Sequence, residues 1–177
     1  IDWATYNPVS MLLKDKGLLE KEFANQTDFG KEIIPASITK YKVASYQYDG
    51  YWTDIGNIYS FFEANLKLTQ ELPDFNLFDN DNSIYTRPRM LPPSKISGTT
   101  LENALIAEGS IINAPSIEGS VIGMRSRIGH GTTLVSTYMM GSDYYETLPE
   151  IAEAVKEGYP VLGIGDRCYI KNAILDK

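Results

Sequence analysis

The sequence predicts a mixed α/β segment followed by a parallel β-helix. Three observations carry that reading. From Leu101 onward, aliphatic residues recur at steps of about six, with small residues between them. Residues 71–99 collect proline, aspartate and asparagine, the chemistry of a connector. The first seventy residues show apolar steps of three and four, interrupted by one alternating stretch.

The α/β part comes first. Pro8 to Ala24 reads as a helix, with Met11, Leu12, Leu18, Leu19 and Phe23 on or near one face and Gly17 weakening its middle. A second helix starts at Asp28, whose carboxylate can cap the free N–H groups that follow. Lys31 stands where a capping box wants glutamate, so that box is expected to be missing. Ile33, Ile34 and Ile38 supply the apolar face. Tyr41 to Tyr48 alternates and is rich in strand formers, and Asp49-Gly50 is a turn signal. Tyr51 to Ile55 then reads as a returning arm or short strand end. Asn57 caps a helix from Ile58 to about Gln70, in which Ile58, Phe61, Phe62, Leu66 and Thr69 form a buried stripe.

The boundaries follow from these shifts: 1–70, a linker over 71–99, and repeats over 100–177. In the last region Ile106, Ile112, Ile117, Ile122, Ile128, Leu134 and Met140 follow one another at steps of five or six, and Ile164 and Ile170 resume the series. Hexapeptide repeats of this kind give a coil of three short strands, about eighteen residues per turn. The aliphatic residues point into the prism, and glycines take the tight corners. Stacked coils bury each other, so one coil alone is not stable. The alternative is an ordinary antiparallel β domain. Residues 141–163 interrupt the series, and Leu148, Ile151, Ala152 and Val155 mark a short amphipathic helix ending near Gly158.

Composition narrows the function. A net charge of -7 disfavours general nucleic-acid binding, which needs a basic surface. No run approaches the roughly 18 apolar residues of a membrane span, and no signal segment opens the chain. One cysteine, Cys168, rules out an internal disulfide framework and suits a reducing cytoplasm. One histidine, His130, rules out a multi-histidine metal site. The chain opens on Ile1-Asp2-Trp3 rather than methionine, as a truncated product would.

Trp52-Thr53-Asp54-Ile55-Gly56 is the sharpest local feature. A carboxylate before a helix suits Mg²⁺ carried on phosphates, which uses one or two protein carboxylates. The plainer alternative is a turn residue, since aspartate close before glycine is ordinary turn chemistry. Asp28-Phe29-Gly30 is similar to the metal-binding triplet of protein kinases, but no other kinase signature is present, and Asp28 also reads as a helix cap. Arg87, Arg89 and Lys95 place three cations on a proline-stiffened segment, which suits a phosphate or carboxylate ligand or a solvated linker. His130, between Gly129 and Gly131, keeps open a hexapeptide acyltransferase that uses coenzyme A.

Three stretches together resemble glucose-1-phosphate adenylyltransferases. Asp28-Phe29-Gly30-Lys31-Glu32-Ile33-Ile34-Pro35, Asp49 to Gly56 and Phe61 to Leu66 are similar to the end of that family's catalytic domain. Ile84 to Lys95 resembles its interdomain linker. Val121 to Gly129, Met140 to Glu146 and Ile164 to Lys177 resemble its left-handed β-helix. The resemblance implies a nucleotidyltransferase that makes ADP-glucose from ATP and glucose 1-phosphate for glycogen or starch synthesis, releasing pyrophosphate. It implies Mg²⁺ held by Asp54, the catalytic residue, and a sugar-phosphate pocket lined by Asp28, Phe29 and Trp52. It implies a small phosphorylated effector at Arg89, with Arg87, Lys171 and Lys177 as further candidates. A homo- or hetero-tetramer in the bacterial cytoplasm or a plastid goes with it. The family's glycine-rich phosphate loop, sugar-phosphate lysine motif and partner metal carboxylate are not found, so this piece alone is expected to be inactive. A non-catalytic regulatory subunit of the same family and a purely structural oligomerisation module are the remaining alternatives.

Overall fold

A computed structural model of the chain describes residues 23–176. The chain divides into two compact units, 1–49 and 50–177. In the first, a π-type turn, Phe29–Ile33, runs into helix α1, Ile34–Ile38. Phe23, Ile33 and Ser37 are buried there. The helix expected over residues 8–24 lies outside the described residues except Phe23 and Ala24, which sit in a turn. The expected strand Tyr41–Tyr48 does not form, and neither does a hairpin with Tyr51–Ile55. Alternation and strand-forming residues are not sufficient without a ladder partner, and among the described residues this stretch has none.

The second unit is a parallel β-helix with one helix on its flank. Its strands are β1 (Lys95–Ile96), β2 (Thr100–Glu102), β3 (Leu105–Ile106), β4 (Ile111–Ile112), β5 (Ser116–Glu118), β6 (Val121–Ile122), β7 (Arg127–Ile128), β8 (Thr133–Met139) and β9 (Tyr169–Leu175). Every strand pairing is parallel, which rejects the antiparallel alternative. One side of the prism stacks β1, β4 and β7, with Ile164 bridging Ile128 below. The second stacks β2, β5 and the first half of β8. The third stacks β3, β6 and the second half of β8, and β9 continues both.

Successive rungs such as Lys95, Ile111 and Arg127 are 16 residues apart, and Ile117 to Leu134 takes 17. The coil is thus shorter than the eighteen residues expected, because one or two of its three sides advance by five residues rather than six. β1 also lies within the segment read as linker, so the coil begins before residue 100.

Ile112, Ile117, Ile122, Ile128 and Leu134 are completely buried inside the prism, and Ala114 and Met139 complete its core. The expected inward Met140 is instead exposed, because the side ending β8 also advances by five. Each buried aliphatic side chain contributes about 1.5–3 kcal/mol relative to exposure. Polar groups close the corners. Ser126 N–H donates to Ser110 Oγ, and Ser110 N–H to Ser94 Oγ, at 3.3 and 3.2 Å. Thr137 N–H donates to Ser120 Oγ at 3.0 Å, and Cys168 N–H to Thr132 Oγ1 at the same distance. These hydroxyls satisfy backbone groups that burial would otherwise orphan.

One corner repeats a left-handed backbone on every level: Asn103, Gly119, Ser136 and Asn172 have φ of 48°, 53°, 46° and 52°. The requirement comes from the turn, and asparagine meets it at little steric cost. Gly129 serves another constraint, because a Cβ there would run into Asp166 and the Gly165 backbone of the next coil.

Helix α2, Ile58–Lys67, packs on the third side. Leu105, Val121, Tyr138 and Ile174 form an outward apolar column there, one per rung. Phe61 meets Tyr138 edge-on, with ring centroids 5.2 Å apart. Asn57 caps α2 as expected, its Oδ1 accepting from Ser60 N–H at 2.9 Å. The stripe is only half-buried and Ile58 is exposed, because one shallow face rather than a core receives it. The excursion carries helix α3, Leu148–Glu157, with a capping box between Thr147 and Glu150 and Gly158 in the left-handed C-cap conformation.

Replacing Ile122 with alanine should destabilise the second unit by about 2–5 kcal/mol, since the prism cannot collapse around the missing methyls. Urea unfolding of the variant measures this, and a loss under about 0.5 kcal/mol would contradict a close-packed prism.

Candidate functional site

Residues 27–32 place Asp28 and Phe29 in the first unit. Asp28 Oδ1 accepts from Lys31 N–H at 2.8 Å, the cap expected of it. The reciprocal partner also exists. Glu32 Oε2 accepts from Thr27 N–H at 2.7 Å and Asp28 N–H at 2.9 Å. Sequence spacing missed it because the turn opens as a π-helix. Ile33 N–H reaches Asp28 O at 3.2 Å, so the glutamate comes round one residue late. Phe29 opens that turn.

Asp54 and Trp52 lie in the second unit, on the extended stretch that runs into Asn57 and α2. Asp54 Oδ1 accepts from Gly56 N–H at 2.9 Å, a local turn that fixes the carboxylate just before the helix. Both side chains are exposed, the indole at 76%. Gly56 has little spare room, since a Cβ there would approach Asp54 Oδ1 to 3.0 Å. The turn therefore occupies the same residue that the sequence offers as a candidate ligand. A carboxylate has about four acceptor positions, and one N–H occupies one of them. Among the described residues no three carboxylate, histidine or cysteine side chains converge as a metal site. Asp54 can thus serve as one ligand of a cation that arrives on phosphates.

Arg87 and Arg89 are exposed on the connector, with Arg89 Nη1 3.4 Å from the Arg87 carbonyl. Lys171 is exposed on β9, paired with Val135 of β8. Lys177 lies outside the described residues. His130 is an exposed corner residue whose backbone N–H donates to Asp166 Oδ1 at 2.7 Å. Its backbone carbonyl accepts from Arg167 N–H at 2.7 Å.

Two contacts have no signal in the spacing of the sequence. The Tyr145 hydroxyl donates to Gly109 O at 2.8 Å. The Arg125 guanidinium lies 5.8 Å from the Tyr145 ring centroid. They join residues 36 and 20 apart in sequence.

Comparison with known proteins agrees with this arrangement. Residues 89–177 match the family model described as the GLGC left-handed parallel beta-helix domain. Residues 6–71 match the one described as nucleotidyl transferase. The chain is 44% identical, over 162 residues, to a glucose-1-phosphate adenylyltransferase small subunit of Triticum aestivum, named as chloroplastic/amyloplastic. That alignment covers 90% of this chain and 34% of the wheat protein, so the chain spans about a third of its relative's length.

The Glu32 bridge gives a pH prediction. Hydrogen bonds from the Asp28 and then the Thr27 backbone hold its carboxyl below the ordinary value. A lowered folded value means the bridge is fully formed above the unfolded pKa of about 4.3 and is lost as pH falls through the folded one. In an NMR titration the Thr27 and Asp28 amides should share one inflection below that of a free glutamate. Glu32→Gln should remove the inflection, and flat wild-type curves would exclude the bridge.

Proposed function

The chain belongs to the glucose-1-phosphate adenylyltransferase family, and on that premise we propose that it is part of an enzyme making ADP-glucose from ATP and glucose 1-phosphate. One sugar-phosphate oxygen attacks the α-phosphorus of ATP in line. The new P–O bond forms as the bond to the β-phosphate oxygen breaks, and pyrophosphate leaves with the electron pair. Oriented cations and hydrogen-bond donors lower this barrier by offsetting charge on the phosphates.

The observation that carries the reading is the Trp52–Gly56 turn, which presents an exposed carboxylate and an exposed indole ahead of a capped helix. In this reading Asp54 is a ligand of Mg²⁺, which when bound supplies charge neutralisation at the phosphates. Trp52 offers an apolar ring face to the sugar, and family likeness makes Asp28 and Phe29 further candidates for sugar-phosphate binding. Asp28 Oδ1 receives a backbone N–H, so hydrogen bonds to sugar hydroxyls draw on its remaining acceptor sites. Arg89 and Arg87 bind a small phosphorylated effector, with Lys171 and Lys177 contributing charge. The assembly is a homo- or hetero-tetramer, and the wheat relative's name as a small subunit supports the presence of more than one subunit. The location is a plastid for a plant source and the cytoplasm for a bacterial one.

Asp54→Asn in the full-length protein separates the two roles of this residue. The amide oxygen can still accept from Gly56 N–H, so the turn and the melting temperature should be kept. Turnover should fall by about two orders of magnitude or more, measured as pyrophosphate release across a Mg²⁺ titration. A variant with the wild-type rate would remove Asp54 from the reaction.

A further inference from the structure

We propose that the excursion 141–163 is a strap latched by Tyr145 and coupled through Gly109 to the cationic connector. The excursion needs a latch because α3 buries none of its own residues. Its attachment is at the base. Ser142 N–H donates to Met124 O at 2.9 Å, and Arg125 Nη1 lies 3.4 Å from Ser142 O. Leu162 N–H donates to Glu146 Oε2 at 2.8 Å and closes the neck. Next to that neck, the Tyr145 hydroxyl reaches back to Gly109 O, while Arg125 covers the ring.

Gly109 also holds the connector. Its N–H donates to Pro92 O at 2.8 Å. It has φ +76°, and a Cβ there would meet both the Tyr145 hydroxyl and the Leu91 side chain. Strap and connector therefore close on one residue from two sides. Just upstream, Met90 has φ +50° and is 94% exposed. A left-handed backbone at an exposed, unbranched methionine is disfavoured, so this bond pair is a natural hinge. It stands between Arg89 and Leu91. A rotation at Met90 that closes the arginines on an anion moves Leu91 and Pro92 against Gly109, and with them the acceptor of the Tyr145 latch. The coupling rests on the effector reading of Arg87 and Arg89 given above, whereas the latch does not.

Amide hydrogen exchange of the full chain tests both parts. Tyr145→Phe keeps the ring and removes one hydrogen bond, so exchange over residues 142–163 should rise about fivefold. Protection over residues 111–139 should stay unchanged, which shows that the coil is folded. Met90→Gly accepts φ +50° without strain, so it should lower exchange at the Gly109 amide and across the excursion. With inorganic phosphate as the probe, excursion exchange should change about fivefold in the wild type and not in Tyr145→Phe. Wild-type exchange of the excursion in Tyr145→Phe would overturn the latch. Phosphate protection of residues 84–92 with no response in the wild-type excursion would overturn the coupling. If phosphate leaves residues 84–92 unaffected, the effector reading fails, the coupling fails with it, and Tyr145→Phe alone decides the latch.

Discussion

The second unit depends on one constraint: every coil must present its inward side chain at the height of the next. Ile112 stacks under Ile128, Ile117 under Leu134 and Ile122 under Met139, and the strand registers are fixed by those contacts. A slip of one residue would turn each aliphatic chain outward and each exposed one in. The hydroxyl corners tighten the same register. Ser94, Ser110 and Ser126 sit one per coil, and the Ser94 and Ser110 hydroxyls each accept the N–H of the next serine in the series. Burial gives the free energy and the hydroxyls give the phase. Neither could do so alone, because an apolar corner would leave N–H groups unpaired in a dry interior.

From that prism follows the placement of the candidate active-site motif. The third side of the coil turns an apolar column outward, and α2 settles on it through Phe61 and Tyr138. Asn57 fixes where α2 begins, and Asp54 lies three residues before that cap. The catalytic candidate is thus anchored to the β-helix by a helix end rather than by its own burial. A helix that carries an exposed loop at its start is a common way to hold functional residues, since the scaffold sets direction while the loop stays open to ligand.

The periodic part of the fold was legible because periodicity is what the prism selects for. The repeat predicted the inward residues Ile112 through Leu134, and the failure at Met140 is informative. Five- and six-residue steps both close a side, so a series counted in sixes drifts as soon as a side takes five. The strand expected at Tyr41–Tyr48 failed for another reason, because alternation describes one chain while a ladder needs two. The Glu32 bridge was hidden by a π-turn, a backbone choice that capping-box spacing does not contain. The Tyr145–Gly109 contact was unreadable in principle, since it links residues that only the stacked coils bring together. Asp28 and Asp54 were legible as chemistry, and both of their plain alternatives, cap and turn, are present in the structure.

That last agreement does not weigh against ligand roles. A carboxylate that accepts one backbone N–H is oriented by it and loses one acceptor site of about four. An unheld aspartate on an exposed segment would lose side-chain entropy each time it bound a cation, at a cost of up to about 1 kcal/mol. One held by a turn has already met part of that cost in folding. The same geometry explains why Gly56 belongs in the motif, since a side chain there would press on Asp54 Oδ1 and tilt the carboxylate away. Turn residue and candidate ligand are therefore compatible: the backbone N–H of Gly56 orients Asp54, the turn leads into α2, and α2 packs on the stacked coil.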